Sequence, residues 1–111
     1  MNDICYSPEA ENDLDEIWEY ISSELCNPQA AAKTVNHILD SVDRLVDFPR
    51  SGAPLFSVTD VESDYRFLVC GNYLVFYRIL GKAVYIDRVL YGRRDYLRIL
   101  FQGLKQERMD D

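Results

Sequence analysis

Apolar positions in the first half of the chain recur with helical spacing. One stripe, over residues 8–25, contains Ala10, Leu14, Ile17, Trp18, Ile21 and Leu25. A second stripe, over residues 28–48, contains Ala32, Val35, Ile38, Leu39, Val42, Leu45 and Val46. Each follows a helix start signal, Ser7-Pro8 or Asn27-Pro28. The pattern predicts two amphipathic helices, and their short connection predicts an antiparallel hairpin.

After residue 64 the pattern changes to runs of β-branched and aromatic residues. The runs 65–70, 73–80 and 83–91 are separated by Gly71-Asn72 and Gly81-Lys82, which are typical hairpin turns. They predict a three-strand antiparallel meander. The segment Asp3–Tyr6 is expected to form an edge strand of this sheet, and residues 97–101 are expected to form one or two helical turns. The expected class is α+β, with the order β-α-α-β-β-β, a small mainly antiparallel sheet beneath the helices, and a short C-terminal helix.

Two-residue turns also fix a predicted register. Tyr77 should lie opposite both Arg66 and Ile86, and Val75 opposite Arg88, so that Arg66 and Arg88 share one face with Tyr77. We expect helices on one face and a half-buried aromatic floor carrying Arg66 and Arg88 on the other. A one-residue bulge would move part of a strand to the opposite face. Arg78 and Asp87 are expected to form an ion pair.

Composition limits the classes of protein. A chain of 111 residues is long enough for one domain, residues 1–111, with a polar and frayed tail over about 102–111. No apolar run approaches the roughly 20 residues of a membrane span, and no signal segment opens the chain, so we expect a cytoplasmic location and no membrane partner. The three cysteines are expected to be small buried hydrophobes, with no metal and no cofactor.

Charge divides the chain into two halves. Residues 1–64 carry 3 basic and 14 acidic residues, and residues 65–111 carry 9 basic and 5 acidic residues, for a net charge of −7. One acidic set lies on the predicted outer face of the first helix, where a solvated surface is expected: Glu11, Asp13, Asp15, Glu16 and Glu19. The basic half either only maintains solubility or meets an acidic partner. The single histidine, His37, is predicted on a helix surface away from the apolar stripe.

Five short motifs occur in a familiar order and spacing. They are Tyr6-Ser-Pro-Glu-Ala10, Phe48-Pro-Arg-Ser-Gly52, Tyr65-Arg66, Gly71-Asn-Tyr-Leu-Val-Phe-Tyr-Arg78, and Ile86-Asp-Arg-Val-Leu-Tyr-Gly-Arg-Arg-Asp95. Over about residues 4–100 the chain resembles the RelE/ParE superfamily of bacterial type II toxin–antitoxin toxins. The last motif is closer to ParE-like members.

The resemblance implies a toxin that a cognate antitoxin holds silent, and it implies one of two activities. ParE-like members poison DNA gyrase without cutting anything themselves, and this is the favoured expectation. RelE-like members cut mRNA on the translating ribosome without a metal. Leu74 stands where ribonuclease members tend to carry an arginine, which disfavours cleavage. A degenerate, non-toxic relative is the third alternative.

Candidate site residues follow from the predicted sheet and its basic end. For binding the target or the antitoxin they are Arg66, Tyr77, Arg88, Tyr91, Arg93, Arg94 and Tyr96. If the chain is a ribonuclease, the catalytic candidates are Arg66, Arg88, Arg93, Tyr91 and Tyr96. A structural role for Arg66 and Arg88 is equally open, and an antitoxin carboxylate is the alternative partner of Arg93 and Arg94.

Overall fold

A computed structural model describes residues 2–55, 63–93 and 96–101. The strands are β1 (Asp3–Tyr6), β2 (Ala53–Pro54), β3 (Arg66–Cys70), β4 (Tyr73–Leu80) and β5 (Ala83–Tyr91). The helices are α1 (Pro8–Glu19), α2 (Pro28–Asp43) and α3 (Tyr96–Leu100), with a π-helical turn at Tyr20–Glu24 and a 3-10 turn at Arg44–Val46. The predicted α+β class and order of elements are confirmed. The predicted tail over residues 102–111 lies outside the described residues.

Both helix starts follow the predicted capping chemistry. The Ser7 hydroxyl accepts a hydrogen bond from the Ala10 amide at 2.9 Å, and the Asn27 side chain accepts one from the Ala30 amide at 3.1 Å. The helix ends differ from the prediction. The first helix ends as α-helix at Glu19 and continues through the π-helical turn, so the residues after it leave the α-helical period. The hairpin then turns at Cys26, whose φ of 51° is left-handed.

The five strands form one sheet in the order β1-β5-β4-β3-β2. Strand β1 pairs in parallel with β5, and the other pairs are antiparallel, which confirms the predicted edge strand and meander. Strand β2 was not predicted, because its two residues, Ala53 and Pro54, lie in a short segment rich in Pro and Gly, which is typical of turns. Gly71 and Gly81 open the two hairpin turns with φ near +60°, a conformation that costs glycine little.

A bulge in β5 changes the predicted register. Tyr77 lies opposite Ile86 as predicted, but Phe76 lies opposite Arg88 and Val75 opposite Val89. Asp87 is therefore the extra residue of the bulge, and the pairing of Val75 with Arg88 was wrong. The direction of side-chain alternation changes after Asp87, so Val89 packs with the helices instead of on the opposite face.

Both faces of the sheet are covered. The main core lies between the sheet and the helical hairpin, and its fully buried members include Ala31, Ile38, Val42, Leu45, Val75, Tyr77, Val84 and Ile86. A second core lies on the other face, where Phe76, Leu55 and Leu90 pack with α3. The predicted half-buried aromatic floor was wrong, because the face that carries Tyr77 and Val75 packs against the helical hairpin and the opposite face packs against α3.

Candidate functional site

Tyr77 and Arg66 hold the segment that leads from α2 into the sheet. The Tyr77 hydroxyl donates to the Pro49 carbonyl at 2.8 Å and accepts from the Gly52 amide at 3.0 Å. The Arg66 guanidinium donates to the Gly52 carbonyl at 3.1 Å and the Arg50 carbonyl at 3.0 Å. Tyr77 is fully buried. Its predicted role as a partner-binding residue is corrected, because its ring and hydroxyl face the protein interior.

Arg88 is fixed by a buried carboxylate on α1. Its Nε and Nη2 atoms donate to the two oxygens of Asp13 at 2.8 and 2.9 Å, and the Val89 amide donates to the same carboxylate at 2.9 Å. The hydrogen bond to Asp13 raises the pKa of Arg88. Asp13 is only 4% exposed, so its predicted place on the solvated acidic face was wrong. It lies three residues after Ala10 and four before Ile17, on the helix face that packs against β5.

The shared basic face predicted for Arg66 and Arg88 is not formed. Arg66 lies opposite Tyr77 and Arg88 lies opposite Phe76, and these two neighbours on β4 alternate to opposite faces of the sheet. The shift comes from the bulge at Asp87. The two guanidinium groups bind separate parts of the protein: that of Arg66 binds the segment before β2, and that of Arg88 binds α1.

The predicted ion pair between Arg78 and Asp87 is confirmed, with Arg78 Nε 2.9 Å from an Asp87 carboxylate oxygen. The Arg78 guanidinium carbon also lies 5.5 Å from the centroid of the Tyr65 ring, a cation–π contact. Burial raises the pKa of Tyr65 to about 12, and its hydrogen bond to Asp87 adds to the rise. The contacts among Arg78, Asp87 and Tyr65 connect the bulge in β5 to the residue that precedes β3.

The basic bend after β5 is the exposed part of the predicted site. Tyr91 is 39% exposed and packs edge-on against Tyr73, with ring centroids 5.8 Å apart. Arg93 is exposed, whereas Arg94 lies outside the described residues. Tyr96 is half-buried, and its ring centroid lies 5.2 Å from that of Phe76. Tyr91 and Arg93 therefore present side chains to solvent, while the Tyr96 ring packs on the second core.

A groove that sequence analysis missed runs between the helical hairpin and the end of the sheet. Its volume is about 700 Å³. Apolar and aromatic side chains form most of its lining: Ile17, Tyr20, Ile21, Leu25, Ala30, Tyr73, Val89 and Tyr91. Burial, with Tyr91 and Tyr20 nearby, raises the pKa of Tyr73 above its ordinary value.

The π-helical turn explains why this groove was not predicted. Leu25 was placed on the inward stripe by extending the α-helical period, but the wider turn at Tyr20–Glu24 rotates the following residues. Tyr20 and Leu25 are 53% and 56% exposed.

Comparison with known proteins decides the family. A family model described as "ParE toxin of type II toxin-antitoxin system, parDE" matches residues 4–96. The chain belongs to the ParE toxin family. Toxin ParE1 of Mycobacterium tuberculosis strains CDC 1551 / Oshkosh and H37Rv is 30% identical over 95 residues, which cover 85% of this chain and 93% of the relative. A structure from a chromosomal ParDE toxin–antitoxin system of P. aeruginosa is 26% identical, with a TM-score of 0.69 over 82% of this chain and 96% of the other.

Membership in the ParE family identifies the chain as the toxin of a type II toxin–antitoxin module, with a cognate antitoxin as its partner. The two helices over a mainly antiparallel sheet are the fold of this family. Across the described parts of this ParE toxin, no helix is both long and apolar enough to cross a membrane.

Proposed function

We propose that this ParE toxin acts in the cytoplasm by binding and inhibiting DNA gyrase, and that it does not cut RNA. The observation that carries the proposal is the Arg88–Asp13 pair. Its carboxylate neutralises, at 2.8 Å, one of the arginines expected to bind the scissile phosphate in a ribonuclease.

The remaining groups also fit a binding protein better than a ribonuclease. Metal-free RNA cleavage requires a base beside the 2′-hydroxyl, cations on the phosphate and an acid at the leaving oxygen, all within hydrogen-bond reach. Arg66 and Arg88 start from opposite faces of the sheet.

The bend that follows β5 is the surface we assign to target contact. Tyr91 and Arg93 are exposed there, and no carboxylate partner of Arg93 is found in the described parts of the chain. An exposed tyrosine beside free positive charge is a composition typical of energetically important protein contacts. Arg94, one residue further, adds a second charge to the same bend.

Induction of the chain in a bacterium, with and without its antitoxin, tests the proposal. Gyrase inhibition predicts growth arrest, an SOS response and gyrase-bound cleaved DNA, all relieved by the antitoxin. Primer extension on a reporter message tests the alternative activity, mRNA cleavage. Clean cuts between codon positions on translating ribosomes would establish that activity and overturn the proposal. Normal growth without antitoxin would instead identify a non-toxic relative in that host.

A further inference from the structure

The bulge in β5 lies where that strand loses its neighbour on one side. Strand β1 pairs with β5 only over residues 83–86, and the chain of β1 then continues into α1. The backbone groups of β5 after that point need other hydrogen-bond partners on this side, because a buried peptide group without a partner is costly. The start of α1 supplies these partners in place of a strand.

Ser7 and Asp13 are the residues that bind this part of β5. The Ser7 amide donates to the Ile86 carbonyl at 2.9 Å, and the Ser7 hydroxyl donates to the Asp87 carbonyl at 2.7 Å. The Asp13 carboxylate accepts from the Val89 amide at 2.9 Å. Ser7 and Asp13 are 6% and 4% exposed, so water competes little for these bonds. The two side chains therefore hold the backbone of β5 at the bulge and just after it.

The bulge determines which face of the sheet carries the end of β5. Ile86 packs with the helical hairpin, so strict alternation would place Val89 and Tyr91 on the opposite face. The extra residue reverses that order. Val89 lies in the core beneath the hairpin, and Tyr91 packs edge-on against Tyr73, which contacts the same core. Tyr91 is the last residue of β5, so its direction sets where the basic bend begins.

We propose that Ser7 and Asp13 are positioning residues for the bend that contacts the target. By holding the bulge they direct Tyr91 to the side of the hairpin, and they thereby set the direction in which Arg93 leaves the sheet. Both side chains are buried and act through the backbone of β5. Their effect on target contact rests on the proposed function, whereas their effect on the placement of Tyr91 does not.

Four variants separate this positioning role from a general effect on folding. Ser7→Gly removes the hydroxyl that donates to Asp87, while glycine still caps a helix well. Ser7→Thr keeps the hydroxyl and should behave as the wild type. Asn27→Gly is the matched control, since it changes the cap of α2 in the same way. Asp13→Ala removes the acceptor of the Val89 amide. Thermal unfolding measures the loss of stability in each variant.

NMR of the purified toxin measures the placement of Tyr91 in the absence of gyrase. The rings of Tyr73 and Tyr91, with centroids 5.8 Å apart, should give proton–proton NOEs in the wild type. Ser7→Gly and Asp13→Ala should each weaken these NOEs, whereas Ser7→Thr and Asn27→Gly should retain them. Unchanged NOEs in Ser7→Gly or in Asp13→Ala would overturn the proposal for that residue. An equal loss in Asn27→Gly would overturn it for both.

The toxin concentration that gives half-maximal gyrase-bound cleaved DNA measures the effect on function. It should rise about fivefold in Ser7→Gly, the equivalent of one net hydrogen bond, and should change less than about twofold in Ser7→Thr and Asn27→Gly. An equal rise in the two glycine variants would attribute the effect to stability and overturn the positioning role. A wild type without any effect on gyrase would refute the proposed function alone, because the NOEs are measured without gyrase.

Discussion

The buried carboxylate of Asp13 shows how one side chain determines the role of another. It accepts three hydrogen bonds from Arg88 and the Val89 amide, and so joins α1 to β5. A paired and fully hydrogen-bonded charge is tolerated in an interior, but either partner left alone is costly. Arg88 is therefore a structural residue, although its position in the last strand made it a candidate for binding a target.

Asp13→Asn should destabilise the fold by about 2 kcal/mol, because it leaves the partly buried Arg88 without its counter-charge. Asp15→Asn is the matched control on the solvent side of the same helix, with an expected change within about 0.5 kcal/mol. Urea unfolding measures both free energies. Equal stabilities of the two variants would show that the ion pair contributes nothing.

Alkaline pH should weaken the fold through Tyr65. Its folded pKa of about 12 exceeds the ordinary unfolded value near 10, so its contribution to stability is complete below about pH 10 and is lost as the pH rises toward 12. Tyr65→Phe should therefore reduce the fall in unfolding free energy between those values. Tyr6, which also has a pKa of about 12, should give a similar reduction when replaced by Phe. An unchanged slope in Tyr65→Phe would contradict the linkage.

Among the elements, the hairpin turn carries a strain that can be relieved. Cys26 lies in the left-handed region at a φ of 51°, which costs a non-glycine residue about 1 kcal/mol. Cys26→Gly should stabilise the chain by about 0.5 kcal/mol, since glycine loses part of that gain to backbone entropy. Cys26→Ala keeps the strain and should give no gain. Urea unfolding compares the two, and stabilisation by alanine equal to that by glycine would exclude backbone strain as the cause.

Elements set by local signals were predictable, and long-range contacts were not. Ser7 and Asn27 are residue types that cap helices, and Gly71 and Gly81 are the residue type that hairpin turns require. The helix starts and the strand bounds could therefore be predicted from the local sequence. The bulge at Asp87 depends on contacts with other elements, among them the pair between Arg88 and a carboxylate 75 residues away. It alone moved the two predicted basic residues apart.

The groove could not be predicted either, because it depends on the π-helical turn. The α-helical period predicts an inward Leu25, and only a turn with one more residue per repeat exposes it. All three cysteines were predicted to be buried from residue type alone. Cys70 is buried and Cys5 is half-buried, but Cys26 is exposed in the hairpin connection that follows the π-helical turn. Sequence period cannot locate an irregular turn inside an otherwise helical stretch.

At the scale of the whole molecule, two arginines of the sheet are neutralised by carboxylates, whereas the bend after β5 keeps an exposed positive charge. Arg78 and Arg88 are paired with carboxylates, while Arg93 is exposed. Replacing Arg93 and Arg94 together with alanine should reduce toxicity at least tenfold with little change in stability, because the bend is assigned to target contact. Growth after graded induction measures it.

A second double variant tests whether a change in net charge alone reduces toxicity. Arg44 and Lys82 are exposed and lie away from the bend. Their replacement by alanine also removes two positive charges, so the net charge changes by the same amount. Toxicity should then be retained. Equal losses in the two double variants would attribute the effect to net charge, and unfolding of the first would show that the bend is structural.

Incubation of the purified toxin with purified gyrase, supercoiled plasmid and ATP tests the central claim most directly. The claim predicts linear plasmid after detergent and protease treatment, in an amount that rises with toxin concentration and disappears when the antitoxin is added first. An unchanged yield of linear DNA, together with site-specific mRNA cuts by the same preparation on translating ribosomes, would contradict it.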